Sequence, residues 1–232
     1  MTARMPAVAT YDDEVTQAIR EATRESAMTL CISALARDGA VVVTDTREAL
    51  LDQPGWFEDG ATKAFWVGGR AIVSAAGAGQ WVSSLLREAE WPSNPSAAEV
   101  AKRLHGMLAA TDGVPEVAVT VTGATQIYTI QRRLIAGAVR WADPAMIDRP
   151  YLISGIGLVA RALFGAWWRD GLAVDEVAAI AVAAVKRTSE RCFYVSPTYR
   201  LHVCTAPGGP AVASDRLEAR VEEILREERR RG

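Results

Sequence analysis

The sequence feature that most constrains the fold runs from residue 29 to residue 47, TLCISALARDGAVVVTDTR, and predicts two β-strands joined by a tight turn. A polar break, Arg37-Asp38-Gly39, separates two runs rich in apolar and β-branched residues. Such a break between two such runs is a strong hairpin signal. The hairpin begins with a hydroxyl residue, Thr29, and ends with a carboxylate, Asp45. Because antiparallel pairing brings the two ends of a hairpin together, we expect these two side chains to lie close to each other.

Composition limits the classes of function. The chain has 232 residues, of which 50% are hydrophobic, and this is enough for a large core. A net charge of −2 argues against a nucleic-acid partner. The cysteines are odd in number and widely spaced, which favours neither disulfides nor a metal clip and is typical of a reduced cytoplasm. No apolar run reaches the ~18 residues that span a bilayer, so we expect no membrane association, and we expect neither a cofactor nor a metal ion.

The order of predicted elements indicates an α+β protein with a second sheet and two helical layers. We expect a main domain at residues 29–212, an N-terminal extension or propeptide at 1–28 and a charged C-terminal helix at 213–232. Ser96 and Glu99 form a capping-box pattern at the start of the helix predicted at 97–110. After the hairpin, strands are predicted at 63–67, 71–76, 117–121, 126–131, 134–141, 151–154, 193–195 and 199–204, and a loop at 48–60. Helices are predicted at 11–26, 80–90, 97–110, 157–169, 174–191 and 215–231.

The hairpin and the residues that follow it resemble a specific family. Thr29 begins the first strand after Met28, Asp45 lies sixteen residues after Thr29, and Lys63 lies thirty-four residues after it. This pattern, with Arg47 completing Asp-x-Arg, is similar to that of the proteasome β-type subunits and their bacterial relatives HslV and Anbu. The likeness covers about residues 29–205 and implies a four-layer αββα sandwich. Lys63 stands slightly further from the threonine than in the family, which implies an insertion in the 51–60 loop.

The resemblance also implies a chemistry. The family consists of N-terminal nucleophile hydrolases, in which the threonine is exposed as the mature N-terminus and its own amino group serves as the base. Here Thr29 would be the nucleophile, Lys63 would activate it, Asp45 would hold that lysine, and Gly77 would donate its N–H to the oxyanion. The implied protein is a cytoplasmic threonine endopeptidase that forms a ring or helical homo-oligomer. Its substrates would be peptides or unfolded proteins, and an ATP-dependent unfoldase is a possible partner.

Several residues depart from the family pattern and support an alternative. Ile156 stands where the family has a serine between two glycines, and Arg191 and Tyr194 stand where it has an aspartate and a serine. The helix predicted at 11–26 resembles the helix that precedes the first strand in non-catalytic α-type subunits. The alternative is therefore an α-like or degenerate structural subunit. A peptidase activity requires that Thr29 be the N-terminal residue, so residues 1–28 must be absent. Either self-cleavage after Met28 or translation from Met28 would produce that N-terminus.

A second motif has the spacing of a nucleotide-binding loop but not the elements that should follow it. Gly155-Ile-Gly157-Leu-Val-Ala160 follows a predicted strand, and Asp175 lies twenty residues beyond the first glycine, as in a dinucleotide-binding fingerprint. That fold requires a parallel strand after the helix, whereas the next predicted element is another helix. We therefore interpret the glycines as positions of close helix-on-sheet packing, and His105 and His202 as structural residues.

Overall fold

A computed structural model describes residues 29–49, 57–77, 79–111, 117–135, 138–205 and 212–231. The predicted extension at 1–28 and its helix lie outside these ranges. The strands, in chain order, are β1 (Leu30–Ala36), β2 (Gly39–Asp45), β3 (Arg47–Ala49), β4 (Phe57–Asp59), β5 (Ala64–Val67), β6 (Ala71–Gly77), β7 (Val117–Thr122), β8 (Ile127–Ile130), β9 (Arg132–Ile135), β10 (Ala138–Trp141), β11 (Ala145–Met146), β12 (Tyr151–Gly155) and β13 (Tyr199–Thr205). The helices are α1 (Gly79–Glu88), α2 (Ala97–Ala110), α3 (Leu158–Trp167), α4 (Val174–Arg191) and α5 (Ser214–Arg231).

Two antiparallel sheets carry the fold. The first has the strand order β12-β1-β2-β13 and is built around the predicted hairpin, in which Cys31 pairs with Thr44 and Ala36 with Gly39. The second has the order β11-β8-β7-β6-β5. Side chains of both sheets meet in a small cluster, where Val42 of the first sheet packs with Ala64 and Ile72 of the second. The protein is thus a mixed α+β structure in which two antiparallel sheets contact each other.

Each sheet has its own helices and its own core. α4 packs against β1 and β2, and α3 and α5 pack against α4. Residues 177–185 of α4 are all buried, and five of these are alanine: Ala178, Ala179, Ala181, Ala183 and Ala184. These small side chains allow the helix to lie close to the sheet and to its neighbouring helices. α2 packs against the second sheet, and the predicted capping box is confirmed, since Glu99 N donates to Ser96 Oγ at 3.2 Å and Ser96 N donates to Glu99 Oε2 at 2.7 Å.

Most predicted elements are confirmed, and three predictions are wrong. The segment predicted as one strand at 134–141 is part of an antiparallel pair, β9 and β10. The predicted strand at 193–195 is a turn, in which Val195 N donates to the carbonyl oxygen of Cys192 at 3.1 Å. The predicted loop at 48–60 contains the short pair β3 and β4, where Arg47 lies opposite Asp59. Apolar periodicity identifies extended runs of residues, but it does not report where such a run turns back on itself.

In the described part of the chain, no helix combines the length and the apolar character needed to cross a membrane.

Candidate active site

Asp45 lies at the end of β2 and is fully buried, with 0% of its surface exposed. Its oxygen Oδ1 accepts from the backbone N–H of Leu30 at 2.8 Å and from Lys63 Nζ at 2.9 Å. Its oxygen Oδ2 accepts from the backbone N–H of Arg47 at 3.0 Å and from that of Ser196 at 3.4 Å. A carboxylate can be kept inside a protein only when such donors replace its water. Leu30, Lys63 and Ser196 belong to three segments that are distant from Asp45 in sequence, so Asp45 ties these segments to its own strand.

Lys63 lies just before β5 and is also buried, with 6% of its surface exposed. It forms an ion pair with Asp45 at 2.9 Å, and its ammonium also donates to the backbone carbonyl oxygen of Arg47. These contacts occupy two of its three N–H groups. The predicted partnership between Asp45 and Lys63 is therefore present, and it places a positive charge at the edge of the first sheet.

Thr29 lies directly before β1, beside the Asp45–Lys63 pair, because the next residue, Leu30, donates its N–H to Asp45. The carbonyl oxygen of Thr29 accepts from the N–H of Ile156 at 2.9 Å. Gly155 has a φ of +84°, and a Cβ at that position would overlap the carbonyl oxygen of Thr29. Glycine is needed there for both reasons. Ile156, which departs from the family pattern, thus holds Thr29 through its backbone, while its side chain is buried in the core.

Gly77 lies at the end of β6 with a φ of +101°, and α1 begins two residues later. Gly77 is connected to the Asp45–Lys63 ion pair through Ala75. Two residues before Gly77, Ala75 N donates to the carbonyl oxygen of Lys63 at 3.0 Å. The carbonyl oxygen of Ala75 accepts from Cys31 Sγ at 3.6 Å. Asp45 thus contacts Lys63 and the residue after Thr29, and Gly77 is linked to Lys63 through Ala75, two residues earlier on β6.

Arg47 and Asp59 form a second ion pair beside the first. Arg47 Nε donates to Asp59 Oδ1 at 2.9 Å and Nη2 donates to Oδ2 at 3.0 Å, and Nη1 donates to the carbonyl oxygen of Phe193. These hydrogen bonds with Arg47 lower the pKa of Asp59. Because the backbone of Arg47 also contacts both Asp45 and Lys63, this ion pair fixes the strand that carries those contacts. The Asp-x-Arg motif indicates Arg47, but no local pattern indicates Asp59.

A cluster of hydroxyl groups lies behind Asp45. Thr46 Oγ1 and Thr198 Oγ1 are 2.5 Å apart, and Ser196 Oγ and Thr198 Oγ1 are 2.6 Å apart. Ser196 is fully buried and contacts Asp45 through its backbone N–H. No motif in the sequence indicates Thr46, Ser196 or Thr198, and the resemblance places Tyr194 at the position of the family's serine.

The remaining candidates lie outside this group. Burial raises the pKa of the Cys31 thiol to about 12, although the positive charge of Lys63 partly offsets this rise. The thiol is therefore protonated at neutral pH and is not a nucleophile there. His105 Nε2 lies 3.5 Å from the carbonyl oxygen of Trp141. The ring of His202 packs edge-on against that of Trp66, with 6.4 Å between the ring centroids. Among the described residues, no group of three His, Cys, Asp or Glu side chains is placed to hold a metal ion.

Comparison with known proteins gives a likeness in structure alone. No protein-family model matches the chain, and no curated protein matches its sequence. Among solved structures, it is similar to Anbu, the ancestral beta-subunit, from Yersinia bercovieri, with a TM-score of 0.61 and 16% identity over 86% of this chain and 92% of that chain. The chain has an Anbu-like fold. This finding confirms, for the fold, the resemblance drawn from Thr29, Asp45 and Lys63.

The strand order of the first sheet brings the residues around the site together. The first sheet brings the start of β1, the end of β2 and the end of β12 to one edge, with Leu30 opposite Gly155 and Cys31 opposite Thr44. The residues at this edge are those that surround Thr29. The strand pairing thus positions Thr29, and the ion pair between Asp45 and Lys63 places a charged group beside it.

Proposed function

We propose that the protein is a threonine-type endopeptidase of the proteasome type, with Thr29 as an N-terminal nucleophile. The observation that carries this proposal is the buried Asp45–Lys63 ion pair, anchored by the N–H of Leu30 directly after Thr29. A buried ion pair contributes little net stability, because the desolvation of two charges offsets their attraction. Its position beside the one hydroxyl residue at the start of β1 therefore favours a chemical role.

In the proposed reaction, the free amino group of Thr29 takes the proton of its own hydroxyl, and Oγ1 attacks the carbonyl carbon of a peptide bond. An α-amino group has a pKa of about 7.7–8.0, so it is partly unprotonated at neutral pH. Lys63 stabilises the developing negative charge on Oγ1, and the N–H of Gly77 donates to the oxyanion. The C–N bond breaks, the amine leaves with the proton, and water then hydrolyses the ester on Thr29.

The proposal includes an assembly. Proteases of this type act inside closed or helical homo-oligomers, and Trp66 and Trp81, which are 45% and 39% exposed, offer apolar contact surface. We further propose that the two sheets and their helices form the four-layer αββα sandwich expected from the sequence. Light scattering at micromolar concentration tests the assembly: a mass well above that of a dimer is expected, and a monomer would contradict it.

A second function is favoured by a specific observation. Thr29 is buried, with 6% of its surface exposed, in a chain in which residues 1–28 precede it. While any preceding residue remains attached, the nitrogen of Thr29 is an amide and cannot act as a base. A structural, α-like subunit of a proteasome-type assembly would retain these residues.

Two measurements separate these functions. Intact-mass analysis of the native assembled protein is expected to find Thr29 at the N-terminus, and stable retention of residues 1–28 would favour the structural subunit. In parallel, Thr29→Ala is expected to abolish hydrolysis of fluorogenic peptides while the assembly keeps its mass. Thr125→Ala, at an exposed turn between β7 and β8, is the matched control and is expected to keep full activity. Lys63→Met is expected to reduce kcat by at least ~10²-fold. Full activity in Thr29→Ala would overturn the assignment.

A further inference from the structure

The surface between the two sheets is lined by hydroxyl groups. Ala40 and Val42 of the first sheet contact Ala64 and Ile72 of the second, which identifies the inner face of each sheet. Because side chains alternate along a strand, Thr44 shares the face of Val42, and Ser74 shares that of Ile72. Residues paired across strands point to the same face, and this adds further hydroxyls. We call this set the inter-sheet seam: Ser33, Thr44, Ser74, Thr120, Thr122 and Thr129.

Every member of the inter-sheet seam is buried, and three of its hydroxyls lack a partner. Thr44 Oγ1, Ser74 Oγ and Thr122 Oγ1 have no hydrogen-bond partner among the residues that the structure describes, and the exposed fractions of these residues are 0%, 1% and 0%. Buried hydroxyls in native proteins are almost always hydrogen-bonded, either to protein or to ordered water. Three such groups on facing sheets therefore indicate a shared partner that is not a protein atom.

Contacts between the sheets bring the unpartnered hydroxyls Thr44 and Ser74 to neighbouring positions of the seam, and strand pairing places Thr122 one step further along it. Cys31 pairs with Thr44 in the first sheet, and its Sγ reaches the carbonyl oxygen of Ala75, the residue after Ser74. In the second sheet, Ser74 pairs with Ala64, and Thr122 pairs with Ile72, two residues earlier on the same strand. Within the second sheet, Ser74 therefore lies between Ala64 on one neighbouring strand and Thr120 on the other, and Thr120 adds a further hydroxyl beside it.

We propose that the inter-sheet seam binds ordered water, which bridges Thr44 of the first sheet to Ser74 and Thr122 of the second. A buried water makes about three hydrogen bonds, and these hydroxyls supply that number of partners. Thr44 directly precedes Asp45, and Ala64, the partner of Ser74, directly follows Lys63. The bound water therefore lies behind the Asp45–Lys63 pair and links the strands that carry its two members. This inference is independent of the proposed peptidase activity.

A high-resolution crystal structure of the assembled protein tests the site directly. We expect ordered water within hydrogen-bond distance, about 2.6–3.2 Å, of Thr44 Oγ1 and Ser74 Oγ. In a crystal structure of Thr44→Val, the water bound to that hydroxyl is expected to be lost. A dry seam in the wild-type structure would overturn the proposal.

Thermal unfolding gives a second test in which the sign of the effect decides. If water is bound, Thr44→Val and Ser74→Ala each remove one of its hydrogen bonds, and each is expected to lower Tm by about 2–4 °C. If the seam is dry, each substitution removes an unpaired buried hydroxyl, and Tm rises, which would overturn the proposal. Thr188→Val is the control, because that buried hydroxyl donates within α4 to the carbonyl oxygen of Ala184 at 2.7 Å and is expected to change Tm by less than either seam variant. All proteins are compared at one concentration.

Discussion

Replacing Asp45 by asparagine tests how the site is held together. Each carboxylate oxygen of Asp45 accepts two hydrogen bonds, one oxygen from Leu30 and Lys63 and the other from Arg47 and Ser196. Asparagine has nearly the same shape, but one of its two terminal atoms is an NH₂ group, which only donates. In either orientation of the amide, this group faces two donors. Asp45→Asn therefore leaves two buried N–H groups without an acceptor.

The expected cost follows from these contacts. Each buried donor left without a partner costs about 1–3 kcal/mol, so the loss in the free energy of unfolding is expected to be about 2–6 kcal/mol. This is a large share of the ~5–15 kcal/mol that stabilises a typical domain. In a domain of this size, 1 kcal/mol shifts Tm by about 2–4 °C, so a fall in Tm of at least about 4 °C is expected.

Scanning calorimetry on the assembled wild type and variant is the assay. Asp59→Asn is the control, because Asp59 is also a paired carboxylate near the site but its side chain is 42% exposed. Exposed ion pairs are worth about 0–1 kcal/mol, so this control is expected to shift Tm by only a few degrees. Equal Tm values for Asp45→Asn and the wild type would refute the reasoning, since they would mean that the four hydrogen bonds to Asp45 do not stabilise the fold.

Two further predictions concern residues around Thr29. Gly155→Ala is expected to destabilise the protein by more than about 2 kcal/mol, because the new Cβ overlaps the carbonyl oxygen of Thr29 and the backbone is left-handed; an unchanged denaturation midpoint would contradict this. Cys31 is expected to resist iodoacetamide at pH 8 in the native protein, because its pKa of about 12 keeps the thiol protonated until the pH approaches that value. Peptide mapping is the readout, and alkylation of native Cys31 would be the contrary result.

The sequence by itself determined the local elements. The Arg37-Asp38-Gly39 break specifies the hairpin, and Ser96 with Glu99 specifies the start of α2, because turn and cap chemistry involve residues only a few positions apart. The alternation of apolar residues specifies most of the strands. The spacing of Asp45 and Lys63 after Thr29, read as a family resemblance, indicated the fold, and the structural likeness to Anbu confirms it.

Only the tertiary structure decided what surrounds those residues. Three of the four partners of Asp45 are backbone N–H groups, which every residue except proline carries, so no sequence pattern marks Leu30 or Ser196 as donors. Nothing in the sequence distinguishes Asp59 from an ordinary surface residue, and only the pairing of β3 with β4 places it opposite Arg47. Likewise, the sequence shows Thr44 and Ser74 only as ordinary strand residues. Their hydroxyls become buried without a hydrogen-bond partner only because two sheets, built from distant parts of the sequence, face each other. These properties depend on contacts between distant segments, and such contacts exist only in the folded chain.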